Sequence, residues 1–158
     1  MPNNKRKIIN DPVFGFITIP SDLIYDLLQH SYLLRLTRIK QLGLTSYVYP
    51  GTQHTRFQHS LGALYLMTEA VSTLRSKGVE ITDDEADAVY AAILLHDVGH
   101  GPFSHTLENC FFPNISHEEL TIKICELLNE EMDGALNSTL DVLQDNHKKK
   151  FLREMVSG

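Results

Sequence analysis

Apolar residues recur along this chain mainly at three- and four-residue intervals, and that spacing predicts helix for most of its length. The exception comes first. Residues 8–19 are rich in β-branched and aromatic types around Asp11-Pro12 and Gly15, which predicts a small hairpin or extended arm. Pro20 and Ser21 then open a stretch over 21–40 in which Leu23, Ile24, Leu27, Leu28, Leu33, Leu34, Leu36 and Ile39 keep helical spacing, as two helices broken near His30-Ser31. Gly43 is expected to end the second, and 47–51 reads as a short extended segment and turn. A long helix is predicted over 58–77, on a stripe including Leu61, Leu64, Tyr65 and Val71, with Gly78 as its stop. The next helix begins at Thr82, where Thr82 and Glu85 form a capping-box pattern and Asp83 and Asp84 suit the positive end of the helix dipole. From 86 to 95 it is almost wholly apolar, as a buried central helix should be. Further helical pieces are expected near 104–109, from Ser116, where Ser116 and Glu119 repeat the capping pattern, and over 137–143 and 148–156. The fold class is mainly α, with a minor β component at the N-terminus.

Composition narrows the class without changing that picture. With 158 residues, 42% hydrophobic and 22% charged, the chain has room for one domain with a proper core. A formal charge of −6 gives no broad basic footprint for nucleic acid, although a local basic pocket is compatible with it. Cys110 and Cys125 follow no CxxC pattern and sit in apolar or amphipathic surroundings, so reduced thiols and a cytoplasmic setting are expected. The longest apolar run, residues 88–95, falls far short of the roughly 20 needed to span a bilayer, and no signal-peptide core follows the N-terminal Lys5-Arg6-Lys7. No membrane partner is expected.

The chemistry gathers where the central helix runs out. Residues 94–105 read Leu-Leu-His-Asp-Val-Gly-His-Gly-Pro-Phe-Ser-His, three histidines and an aspartate among glycines. His96 and Asp97 can bind one divalent cation, but two neighbours alone would hold it weakly, so a ligand from another element is needed. His59, near the start of the long helix, is the best third ligand. The 78–81 loop is short enough to require antiparallel packing that brings the two helix ends together. Such donors suit Mn, Fe, Co, Ni or Zn, with open positions for water and a phosphate oxygen. A single buried His or Asp is more often a structural hydrogen-bonding group; the doublet differs because an ionised Asp97 beside an apolar helix is costly without a cation or several donors. His100 and His105 follow at spacings suited to handling a substrate.

Two longer strings, Arg56-Phe57-Gln58-His59-Ser60-Leu61-Gly62 and His96-Asp97-Val98-Gly99-His100-Gly101-Pro102-Phe103-Ser104-His105, resemble the HD phosphohydrolase superfamily, and more narrowly its deoxynucleoside triphosphate triphosphohydrolase branch. The resemblance runs over about residues 41–118. It implies an HD-domain helical bundle over 21–158 behind an N-terminal arm over 1–20. It also implies a divalent metal (Mn, Fe, Ni, Co, Zn or Mg) held by His59, His96 and Asp97, with a second, downstream Asp completing the set. Asp133, Asp141 and Asp145 do not stand in the Asp-Tyr-x-x-Arg-Asp setting the family uses, so a chain truncated at its C-terminal end, with weak metal binding and low activity, is expected.

By the same resemblance Arg56 forks onto a phosphate, His100 and His105 contact phosphate and move protons, Glu108 orients His105, and His117 lies near the scissile bond. Gln41-Leu42 would meet the deoxyribose. Each has a plainer reading open beside it: a solvated Arg56, histidines capping turns, a solvated Glu108, a surface His117, and a polar residue before a helix-ending Gly43. His30 and His54 read as structural or surface residues. The function implied is hydrolysis of dNTP to deoxynucleoside and triphosphate by a homo-oligomer, with the apolar 13–19 segment serving either assembly or the core. An HD activity on another phosphate ester and a non-catalytic nucleotide-binding regulatory module are the alternatives.

Overall fold

The computed structural model describes residues 7–103, 106 and 116–157. Strands β1 (Ile8–Asp11) and β2 (Gly15–Thr18) form an antiparallel hairpin with Asp11 opposite Gly15. Asp11 Oδ1 accepts the Val13 and Phe14 N–H groups at 2.8 and 3.0 Å, so one short side chain closes the turn. The hairpin is no free arm. Ile17 and Ile19 are buried in the core and the Phe14 ring lies 5.0 Å from that of Tyr65, while Val13 and Phe16 face outward.

Helices α1 (Asp22–Gln29), capped by Ser21, and α2 (Ser31–Arg35) follow, broken at His30 as the pattern predicts. The second ends earlier than expected. After Arg35 the chain tightens into a 3-10 turn over Leu36–Arg38 and then extends, because Lys40 bridges to Thr55 and the Ile39 carbonyl accepts the Arg56 N–H at 2.9 Å. Gly43 therefore ends no helix; it opens a second 3-10 turn, Gly43–Tyr47, with φ of 51°. The stretch expected as extended at 47–51 is instead the end of that turn and a following bend that leaves Tyr47, Val48 and Tyr49 exposed.

The long helix α3 (Arg56–Ser76) starts two residues before the predicted position, behind a full Thr55/Gln58 capping box. Gly78, at φ 84°, closes it in a left-handed turn, with the Val79 N–H reaching back to the Leu74 carbonyl at 3.0 Å. Helix α4 (Asp83–Leu95) carries the predicted Thr82/Glu85 box and is buried on nearly every side from Ala86 to Leu95. Around it pack α1, α3, α6 (Asn137–Leu143) and α7 (Lys150–Ser157). Helix α5 (His117–Glu131), capped by the Ser116 hydroxyl, crosses the end of α4. The helical piece expected near 104–109 lies almost wholly outside the described residues. No helix among the described residues is long and apolar enough to cross a membrane.

Candidate metal centre

Two helix ends make the site. Arg56 and His59 occupy the first turn of α3, three positions apart and so on one face. His96 caps the C-terminus of α4 and Asp97 follows it. The antiparallel packing expected from the short α3–α4 loop brings these ends together. One ligand atom each from His59, His96 and Asp97 can be chosen so that all three lie within 4.8 Å of one another. His59 Nε2 is 3.8 Å from Asp97 Oδ2 and His96 Nε2 is 3.5 Å from Asp97 Oδ1. The His96 ring is also oriented from behind. Its Nδ1 lies 2.6 Å from the Ile93 carbonyl, which can only accept, so the proton belongs on Nδ1 and the Nε2 lone pair faces the cluster.

Asp97 is 7% exposed. Burial alone would push its carboxyl upward, but the surrounding positive fields of His96, Arg56, His100 and His59 outweigh that and hold it below the usual carboxylate range. His59 is shifted down, first by burial and next by His96, against the pull of Asp97; it is therefore neutral and able to donate a lone pair near neutral pH. A buried carboxylate and two imidazoles with lone pairs available are a donor set that fits a borderline divalent cation.

The remaining predicted residues fall at different depths. Arg56 is not a solvated arginine: it is 3% exposed and its Nη1 donates to Asp97 Oδ2 at 2.6 Å. His100 is buried, with Nε2 3.5 Å from Asp97 Oδ1, and the His117 ring stacks on it at 3.8 Å. His117 is the partly exposed member of that stack and lines a cavity of about 780 Å³ together with His96, Asp97, Glu118 and Thr121; Lys150 and Arg153 also line it. That volume is of the size small-ligand sites use. Gly43, next in sequence to Gln41 and Leu42, lies close to Phe103, since a Cβ on it would be 3.4 Å from the Phe103 backbone; Leu42 is exposed and Gln41 Oε1 is buried, and neither is among the residues lining the cavity. His105 and Glu108 lie outside the described residues. His30 pairs with Glu131 at the surface.

Sequence reasoning missed three residues that hold this turn. Thr121 and Arg35 bond to its backbone, and Gly99 admits α5, as a Cβ there would lie 2.2 Å from the His117 carbonyl oxygen. Only Arg35 left a trace, as a cation inside the Leu33–Leu36 apolar stripe.

A family model described as HD domain matches residues 56–155, the stretch that supplies all three candidate ligands. The chain belongs to the HD domain family. It is 44% identical to the bovine deoxynucleoside triphosphate triphosphohydrolase SAMHD1 over 166 residues, covering 96% of this chain and 27% of that one. To the uncharacterized Bacillus subtilis protein YwfO it is 34% identical, over 99% of this chain and 38% of the relative. A crystal structure of a phosphohydrolase from Bacteroides thetaiotaomicron superposes with a TM-score of 0.95 at 60% identity, covering 98% of this chain and 38% of that one. The chain thus spans about a quarter to two fifths of the length of these relatives.

Proposed function

We propose that this HD domain is the catalytic part of a metal-dependent nucleotide phosphohydrolase that converts dNTP and water to deoxynucleoside and triphosphate. The observation that carries the reading is the convergence of His59, His96 and Asp97 from two helix ends beside a cavity of substrate size. The naming of several relatives as deoxynucleoside triphosphate triphosphohydrolases supports the choice of substrate.

In this reading His59, His96 and Asp97 hold a divalent ion, Mn, Fe, Co, Ni, Zn or Mg. When bound, that ion supplies charge to polarise a phosphoryl oxygen and to acidify water. The chain's own residues do the rest. Arg56 holds Asp97 ionised and in place through the 2.6 Å contact, and adds positive charge where phosphate must sit. The resemblance assigns Gln41 and Leu42 to the deoxyribose end. The bond that breaks joins the α-phosphorus to the 5′ oxygen. Water oxygen joins the phosphorus, and a proton must reach the departing 5′ oxygen. His117 faces the cavity and is placed to deliver it, with His100 stacked behind it and touching Asp97. The resemblance assigns His105, oriented by Glu108, to the same task.

Incubating the protein with each dNTP and Mn²⁺ and separating the products by anion exchange tests this. Deoxynucleoside and triphosphate in equal amounts are expected, and both should vanish in His96→Ala. Monophosphate as the sole phosphate product would replace the reaction by another phosphoester hydrolysis. Absence of turnover with no metal binding by calorimetry would leave a nucleotide-binding module.

A further inference from the structure

Helix α4 ends at Leu95, yet three side chains of the next five residues must converge on one point. Backbone beyond a helix end has no ladder to hold it, and its carbonyls need partners from elsewhere. Two bonds come from the turn itself: the Val98 N–H donates to the Leu95 carbonyl at 2.9 Å and the His100 N–H to the Asp97 carbonyl at 3.1 Å. Four more come from two side chains remote in sequence. Arg35 Nη2 donates to the Val98 carbonyl at 2.6 Å and the His100 carbonyl at 2.9 Å. On the other side the Thr121 hydroxyl donates to the His96 carbonyl at 3.2 Å and accepts the Gly99 N–H at 3.0 Å.

We propose that Arg35 and Thr121 are positioning residues of the candidate metal centre, acting only through the 96–100 backbone to fix where His96, Asp97 and His100 point. This rests on the reading of His59, His96 and Asp97 as metal ligands. Neither residue belongs to the donor cluster. Arg35 meets carbonyl oxygens and, among the described residues, no carboxylate, so its cation serves the negative end of α4. Thr121 is 3% exposed and its single hydroxyl both gives and takes a hydrogen bond, a pair of roles that serine reproduces and valine, of the same shape, cannot. The two clamps grip alternate backbone groups from α2 and α5, so the turn is held from both flanks. Site geometry tolerates displacements of only about half an ångström.

The test compares Arg35→Ala, Arg35→Lys, Thr121→Val and Thr121→Ser by three measurements: thermal melting, ring NMR signals of His96 and His100 in the metal-free protein, and Mn²⁺ affinity by calorimetry. Arg35→Ala and Thr121→Val should shift both sets of ring signals and weaken Mn²⁺ binding by about 10- to 100-fold. Thr121→Ser should restore both, and Arg35→Lys part of both. Should Arg35→Ala fail to fold, the Thr121 pair decides. Lower melting temperatures with wild-type ring signals and wild-type Mn²⁺ affinity would overturn the proposal, because a merely structural role moves only the first measurement. If the wild-type protein binds no Mn²⁺, the metal reading fails by itself, and the ring signals alone decide whether Arg35 and Thr121 position the turn.

Discussion

Replacing Gly99 by alanine tests the geometry on which the site depends. The backbone at Gly99 has no left-handed φ, so an added methyl brings no conformational strain and acts only by contact. It would lie 2.2 Å from the His117 carbonyl oxygen, 2.4 Å from the Thr121 nitrogen and 2.6 Å from Thr121 Oγ1. Ordinary nonbonded separations are roughly 3.5 Å, so a gap of about 1 Å must open. Two of the three obstacles are backbone atoms of the first turns of α5 and cannot rotate away, which means the helix moves or the turn does. Overpacking of this kind costs about 1–3 kcal/mol. Separation also breaks the buried bond from the Gly99 N–H to Thr121, which adds about 1–3 kcal/mol. A total of roughly 2–6 kcal/mol, at about 2–4 °C per kcal/mol for a chain of this size, lowers the melting temperature by about 4–24 °C. Gly51 serves as the control: nothing lies within 4 Å of a Cβ there, and Gly51→Ala should melt with the wild type. Circular dichroism melts of the three proteins decide. Gly99→Ala melting within about 2 °C of wild type would refute the close seating of α5 on the turn.

Three other outcomes are expected. Asp97→Asn removes the charge from the buried carboxylate to which Arg56 Nη1 donates, which should lower stability by about 1.5–3 kcal/mol in urea titrations; a loss below about 0.5 kcal/mol would mean the pair is not buried as described. Burial pushes the Cys125 thiol up to about 12. At pH 8 only on the order of one molecule in 10⁴ carries the reactive thiolate, so peptide mapping after iodoacetamide should find Cys125 labelled only in denaturant. The hydrogen bond from Lys149, aided by the Thr82 N–H, holds the Glu85 carboxyl below the usual range. Its stabilising effect is therefore complete above the ordinary glutamate pKa and is lost as pH falls through the lowered one. Lys149→Met should cost about 0.5–1 kcal/mol at pH 7, and its melting curve should approach wild type in acid; an equal difference at every pH would contradict the linkage.

Local signals in the sequence reached most of the helices. Ser21, Thr82 with Glu85, and Gly78 each act through neighbours within a few residues, and each sits where the chain puts its helix boundary. The failures are long-range. Nothing near Arg35 forecasts that the chain leaves the helix there, because the cause is Thr55, which draws Lys40 into a bridge from fifteen positions away. The Thr55/Gln58 box is legible in the sequence, but the apolar stripe by itself starts the helix at Gln58 and passes over its cap. At the site, His96-Asp97 stood out because a carboxylate ending an apolar helix is anomalous, and His59 because a short loop limits how two helices can pack. Thr121 gave no sign, since its role depends on α5 crossing the end of α4.

One further signal was present in the sequence. Arg56 places a cation at the positive start of α3, and Asp97 places an anion past the negative end of α4. Each is opposed by the dipole of its own helix, by about 0.3–1 kcal/mol at an exposed position. Neither would be chosen for the stability of its helix alone. The antiparallel packing of α3 and α4 brings the two misplaced charges within 2.6 Å, where each offsets the field that opposes the other and the pair can be buried. Breaking a local rule twice, at the adjoining ends of neighbouring helices, is what a sequence does when the charge is needed at that place for something other than the helix. Arg56 thereby adds to the positive fields of the nearby imidazoles that hold Asp97 ionised, and keeps that carboxylate in place beside His59 and His96, the other two candidate ligands.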